Sequence, residues 1–330
     1  MRIDIGVFAH NEAAGMAAMA AGLLAQDIGG LDARIVVLAN GCRDATARIA
    51  SDAGLEVADL PQGGKSRTWN RFVHDLSRRD ADVLIFCDAD IEFTAPDCLE
   101  RLAQTLHARP GLWVLNSQPV KDTVARPDGL GTLDRIIAAA AGGLDDWKSA
   151  ICGQLYAMPA PLARQLHLPI GLPVEDGFLR AMVLTDTLTA PEDFTRIDGL
   201  DGLRHVYASE RGIGALIRHQ VRIVIGSAIN AAAFAHLRAL PTGVRPAELA
   251  RAATDEGWLP EVLRVRLPRA THGYVPVHFL TKRTHRALAS PRDLLRPKRL
   301  MLTILGFGFD AIVYAIAQVR MARGTGAGFW

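Results

Sequence analysis

The chain has 330 residues, 37 Lys+Arg against 35 Asp+Glu, a formal net charge of +2, 49% hydrophobic and 22% charged residues. With a mean hydropathy of +0.14, this composition excludes a mainly disordered chain, and the near-neutral balance argues against nucleic acid as a partner. Cys42, Cys87, Cys98 and Cys152 show no CxxC spacing, which points away from a disulfide framework or zinc knuckle and towards a reducing compartment.

Arg2 to Phe8 alternates around Ile3, Ile5 and Val7 and predicts a first strand ending at the polar AHNE. The same opening lacks the apolar run of a secretory signal, so this start of the chain is expected in the cytosol. Ala13–Ala25 suits a helix, Arg34–Ala39 a second strand closed by Asn40-Gly41, Asp44–Asp52 a helix, and Leu55–Leu60 a third strand. After Pro61-Gln-Gly-Gly64, a helix is predicted from about Ser66 to Arg79, then a buried strand Asp82–Cys87, then a helix Pro96–Ala108. Such alternation predicts right-handed βαβ units, a mainly parallel sheet, and ligands at the carboxyl ends of its strands. Beyond Pro110 the pattern loosens: Trp113–Val120 and Ile151–Met158 read as strands, and Leu130–Ala141, Phe178–Leu184 and Glu210–Phe234 as helices. A soft domain boundary is placed near residue 235.

The residues with chemical potential follow the predicted strands. His10, Asn11 and Glu12 follow the first, Asn40 the second, and Asp88, Ala89 and Asp90 the fourth. In extended backbone Asp88 and Asp90 point to one side, where a hard divalent cation such as Mg²⁺ or Mn²⁺ relieves their repulsion and also takes substrate phosphate oxygens; the bland reading is a capping and a solvated carboxylate. Lys65 follows two glycines at a strand-to-helix loop, a place for an anion or simply an exposed turn, and the spacing is not that of a Walker loop. Glu175 and Asp176 precede an apolar run, as helix-capping acids or as a general base with its neighbour. Arg218 and Arg222, four apart on a helix, suit a diphosphate clamp or a solvated face. His272 and His278 read as surface imidazoles rather than as a third metal ligand.

Charge is uneven. Lys282 to Arg299 holds seven basic residues and one acid, a local +6 that leaves −4 on the rest of the chain. Leu300 to Val319 then runs apolar for close to the ~20 residues of a spanning helix, with Asp310 at its middle. Two readings stand side by side: an interfacial segment drawn to anionic head groups, or a buried helix after a solvated loop.

AHNEA (9–13), LANGCRDAT (38–46), GKSRTWN (64–70), FCDAD (86–90), ICGQLYAM (151–158) and PVEDGFLRAM (173–182), in this order, resemble the inverting family-2 glycosyltransferases of GT-A fold. The likeness covers roughly the first 225 residues. It implies an α/β fold with a Rossmann-like, mainly parallel sheet flanked by helices, a nucleotide-sugar-binding and catalytic domain over 1–235, and a helical extension over 236–330. It also implies a nucleotide-sugar donor, often a UDP-sugar, and Mn²⁺ or Mg²⁺ at the DxD motif. By the same likeness Ala9, His10, Asn11 and Glu12 line the nucleoside, Asn40 stands where an Asp usually meets the base, and Lys65 meets the nucleotide. Asp88 with Ala89 meets the ribose, Asp90 the metal, and Asp176 is the base supported by Glu175. Arg218 and Arg222 resemble the remnant of QxxRW, with Ile223 for the Trp, which argues against processive synthesis. The basic block and apolar tail fit a glycan, lipid or lipid-linked acceptor with peripheral membrane contact, a soluble small acceptor being the alternative, and the protein is expected in the cytoplasm or at the cytoplasmic face of the inner membrane. A nucleotidyltransferase and a non-catalytic sugar-nucleotide-binding module are the competing readings.

Overall fold

The computed structural model describes residues 1–128, 130–131, 146–289 and 296–324. Eight strands form one sheet: β1 Arg2–Ala9, β2 Asp32–Asn40, β3 Glu56–Leu60, β4 Val83–Asp88, β5 Ile91–Phe93, β6 Val114–Lys121, β7 Leu155–Pro159 and β8 Ile197–Tyr207, in the order β3-β2-β1-β4-β7-β6-β8-β5. The first four are mutually parallel, with Ala9 beside Ala39 and Phe8 beside Asp88, so their carboxyl ends share one rim. Beyond β4 the sheet is mixed, because β7 runs antiparallel to both β4 and β6 while β6 and β8 are parallel. The fold is thus of the expected α/β type, parallel in its first half and mixed in its second.

Helices α1 Met16–Leu24, α2 Thr46–Asp52, α3 Lys65–Asn70 and α4 Cys98–His107 follow the first strands. The continuous helix expected to Arg79 breaks: after Asn70 the backbone widens into a π-helical segment, Arg71–Leu76. Beneath the sheet, Trp69, Phe86 and Tyr156 stack, and the Trp69 indole donates to the Tyr156 hydroxyl at 3.0 Å. Asp4 sits within the apolar run of β1, fully buried, because the Arg78 guanidinium and backbone N–H both donate to its carboxylate. A charge buried there is tolerable only when paired in this way.

Helices α5 Glu175–Thr185, α6 Gly212–Arg238, α7 Arg245–Ala252, α8 Trp258–Arg266, α9 His278–Ala289 and α10 Pro297–Ala322 complete the chain. Helix α6 runs unbroken across residue 235. The aromatic face of the sheet shares its core with α5 to α8 and with Val313 and Ala317 of α10, while α1 and α4 cover the other face. Most of the helix expected over Leu130–Ala141 lies outside the described residues. Strands β5 and β8 were not expected, since the two Asp-Gly pairs in IDGLDGLRHVY hide its alternation. The four cysteines are free thiols.

Candidate active site

Three loops close over the carboxyl rim. His10 Nδ1 lies 2.6 Å from the Asn40 carbonyl, and Asn11, at φ +55°, places its Oδ1 2.8 Å from the donating Arg43 N–H. The Glu12 N–H donates to Thr46 Oγ1 at 2.8 Å, while its carbonyl accepts from Gly15 and Met16 N–H and starts α1. The β1 and β2 loops are therefore one zipped unit, with Ala9 buried at its base.

The third loop is bound to this unit. Asn40 is 2% exposed and its Oδ1 accepts from the Gly64 N–H at 2.8 Å. Its amide thus sets the loop carrying Lys65, a task an Asp shares and one invisible in the sequence. Gly41 at φ +60° passes so close that an added Cβ meets the Gly63 Cα at 2.8 Å. Gly41→Ala is expected to cost about 1–3 kcal/mol through left-handed strain and this backbone clash. Thermal unfolding measures the loss, and a raised KM for the donor shows that the loop has shifted.

Lys65 then reaches across the site. Its Nζ lies 2.7 Å from one Asp88 oxygen and 2.8 Å from the other, 3.1 Å from the Gly153 carbonyl and 3.5 Å from Glu175. Burial works against its charge, but the Asp88 and Glu175 carboxylates outweigh burial and hold the ammonium above its ordinary value. Burial likewise pushes the Asp88 carboxyl up against the attraction of Lys65, with Asp90 adding to the rise. Strand β4 ends at Asp88, and Ala89 and Asp90 form a turn. The expectation that both carboxylates project from one extended strand is therefore corrected: Asp88 faces Lys65, whereas Asp90 is exposed and in none of the ion pairs among the described residues. Burial raises the Glu12 carboxyl, and Asp90 raises it further, so acid is concentrated at this corner.

Opposite lies the start of α5. The Gly177 N–H donates to Asp176 Oδ1 at 2.6 Å, and Glu175 is buried behind it. Desolvation, then Glu175, lifts the Asp176 carboxyl to about 6, while Lys65 and Arg222 act in the lowering direction. Arg222 on α6 therefore belongs to this corner, whereas Arg218 one turn earlier is exposed. Helix α6 also fixes the height of α5: Asn230 Nδ2 donates to the Val174 carbonyl at 2.9 Å, and an added Cβ on Gly226 meets Val174 Cγ2 at 2.3 Å.

Sequence reasoning missed Asn230 and Gly226, and a buried amide inside an Ala-rich helix was the available signal. It also missed the support behind β4. The Gln154 carbonyl accepts from the Asp88 N–H at 2.7 Å, and His205, fully buried, bridges Ser117 Oγ and Gln154 Oε1 at 3.0 Å each. Burial lowers His205 to about 3, so it serves as a neutral spacer. His272 and His278 stay with the C-terminal segment, the first on Thr271 Oγ1 and the second exposed against Phe279. Among the described residues, no three His, Cys, Asp or Glu form a metal-binding cluster.

Residues 4–134 match the family model of glycosyl transferase family 2. No curated protein matches the chain. Among solved structures, the mannosyltransferase PcManGT from Pyrobaculum calidifontis, in complex with GDP-Man and Mn²⁺, is 17% identical over 96% of this chain and 86% of its own, with a TM-score of 0.53. The mannosyl-3-phosphoglycerate synthase from Rubrobacter xylanophilus is also 17% identical over 69% of this chain and 73% of its own, at 0.49, a likeness on which nothing further rests. Residues 4–134 are thus similar to glycosyl transferase family 2, and the chain shares its fold with PcManGT.

Proposed function

We propose that the chain transfers a sugar from a nucleotide sugar, a UDP-sugar first among the candidates, to an acceptor hydroxyl with inversion at the anomeric carbon. The observation that carries this reading is Lys65: one ammonium joins Asp88, at the nucleotide rim, to Glu175 beside Asp176. In this reading the donor and the base lie on either side of Lys65. Asp176 takes the proton of the attacking hydroxyl, and its raised carboxyl matches that task near neutral pH. Single in-line displacement inverts the centre. Lys65 and Arg222 would stabilise negative charge growing on the diphosphate leaving group, with Arg218 further out. Ala9, His10, Asn11 and Glu12 border the nucleoside, with Ala89 and Asn40 shaping its floor.

The donor chemistry fits Mn²⁺ or Mg²⁺. With Asp88 engaged by Lys65, the protein offers the exposed Asp90 carboxylate beside Glu12, which suits ions held through one or two carboxylates together with substrate phosphates. A bound cation would supply Lewis-acid stabilisation of the departing diphosphate. Asp90→Ala is expected to abolish the Mn²⁺-dependent part of nucleotide-sugar binding, leaving a weak metal-independent remainder. A thermal-shift screen of UDP-, GDP- and dTDP-sugars with and without Mn²⁺ identifies the donor, since stabilisation grows with ligand concentration over its dissociation constant. A flat response to all of them overturns the donor assignment. The acceptor in this reading is a lipid or lipid-linked glycan at the cytoplasmic face of the membrane, supported by the exposed apolar side chains of α10.

A further inference from the structure

Among the described residues, two helices are long and apolar enough to cross a membrane: α6, which is largely core, and residues 299–322 of α10, which are mostly outside it. On α10 the exposed residues Met301, Leu305, Gly308, Ile312, Ala315 and Val319 recur at steps of four and three, a single stripe along the helix. Leu305 is 63% exposed, and Ile304 beside the stripe is 61% exposed. At ~1.5 Å per residue the stripe runs close to 30 Å.

The opposite face is fastened down. Val313 and Ala317 are buried in the core, and the Tyr314 hydroxyl donates to the Val275 carbonyl at 3.2 Å. Gln318 accepts from the Tyr274 N–H at 3.0 Å and donates to the His272 carbonyl at 2.8 Å. Asp310, 4% exposed, accepts from Arg283 Nε on α9 at 2.7 Å, with Lys282 at 3.8 Å. The acid that seemed out of place in an apolar helix is thus the pin of a helical pair, pointing away from the stripe. A helix pinned along one face cannot be surrounded by lipid, so a span is excluded while the stripe stays outward.

We propose that the outer face of α10 is a docking surface for an anionic lipid bilayer, embedded in the plane of the interface. Charge selects this occupant. Arg286 lies on α9, which packs against α10, Arg299 lies near the start of the stripe, and Arg320 and Arg323 at its end, while Asp310, the acid of this helical pair among the described residues, is buried on Lys282 and Arg283. Anionic head groups complement that ring. A second copy of the chain, meeting stripe to stripe, brings two basic flanks together, and like charges oppose it. The proposal is independent of the transfer chemistry.

Flotation of the full chain with phosphatidylcholine vesicles, with and without phosphatidylglycerol, tests it. Binding is expected with phosphatidylglycerol and is expected to weaken as salt rises. The pair Leu305→Glu/Ile312→Glu is expected to reduce binding more than ~tenfold, and Arg286→Gln roughly fivefold on anionic vesicles alone. The milder pair Ile304→Ser/Leu305→Ser serves if the acidic pair misfolds, and an unchanged thermal shift with the nucleotide sugar shows that the fold survives. Absence of anionic-vesicle binding, or binding indifferent to both pairs, overturns the proposal. A concentration-dependent dimer lost in the same variants, without vesicle binding, overturns it in favour of a second copy. Vesicle binding by a chain that transfers no sugar sinks the transferase reading alone.

Discussion

Asp176→Asn is expected to abolish sugar transfer, by at least ~100-fold in kcat, the usual scale of a lost general base, while nucleotide-sugar binding survives. The amide occupies the same volume but cannot accept the proton of the acceptor hydroxyl. The same substitution is expected to stabilise the fold at neutral pH. A carboxyl lifted to about 6 holds its proton more tightly in the native state than in the unfolded chain. Ionised above that pH it therefore opposes folding, by on the order of 1–3 kcal/mol, and below its unfolded value near 4 the effect vanishes. The Tm difference between variant and parent should accordingly be positive at pH 7.5 and close to zero at pH 4. Transfer by the parent enzyme follows the ionised form, so kcat should fall as pH drops through about 6. Near-normal turnover by Asp176→Asn would remove the base assignment. A loss of transfer with no gain in Tm would instead show that Asp176 is better solvated than its surroundings imply.

Lys65→Met carries the second large effect. The ammonium contacts both Asp88 and Glu175, with Asp176 close enough to feel it. Its loss leaves the half-buried Asp88 without its ion-pair partner, next to Asp90. Leaving a partly buried carboxylate unpaired costs about 1–3 kcal/mol, so a Tm drop of a few degrees is expected. Donor affinity should fall as well, because Lys65 begins α3 where the diphosphate is to lie. Mn²⁺ should recover more stability in Lys65→Met than in the parent, since a cation can take over part of the charge balance at the Asp88–Asp90 corner. Lys65→Arg should be intermediate, because a planar fork does not reproduce the three-way contact of a point charge. Calorimetry with and without Mn²⁺, alongside kcat/KM, checks all three. An unchanged Tm and unchanged kinetics for Lys65→Met would make the contact a surface ion pair of no consequence.

The legible part of the site was its rim. Strand-ending motifs such as AHNE, FCDAD and the Gly-Gly-Lys loop sit where period-two apolar runs stop, and a parallel sheet collects those stops on one edge. What a strand assignment could not show was direction beyond the last paired residue. Asp88 is the end of β4 and Asp90 lies in a turn, so residues two apart have separate partners. Asn40 suggested a base contact by position, yet its Oδ1 is spent on the Gly64 backbone. His205 and Asn230 carried no motif at all, because a spacer and a clamp are defined by what they touch. Strand β8 escaped because its two Asp-Gly pairs break the apolar alternation at a shift in register beside β6.

By itself the sequence determined the α/β alternation, the parallel first half of the sheet, the rim that carries His10, Asn40, Asp88 and Asp90, and the apolar C-terminal helix. These follow from local periodicity and from turn chemistry, which neighbours in the chain are enough to specify. Only the tertiary structure decided that one lysine joins Asp88 to Glu175, beside Asp176, and that Gly226 and Asn230 set the height of α5. It also decided that Asp310 turns inwards to Arg283 and leaves an apolar stripe outside. Each of these is a contact between segments far apart in sequence, and its sign depends on burial and on the nearest opposite charge, which packing alone supplies.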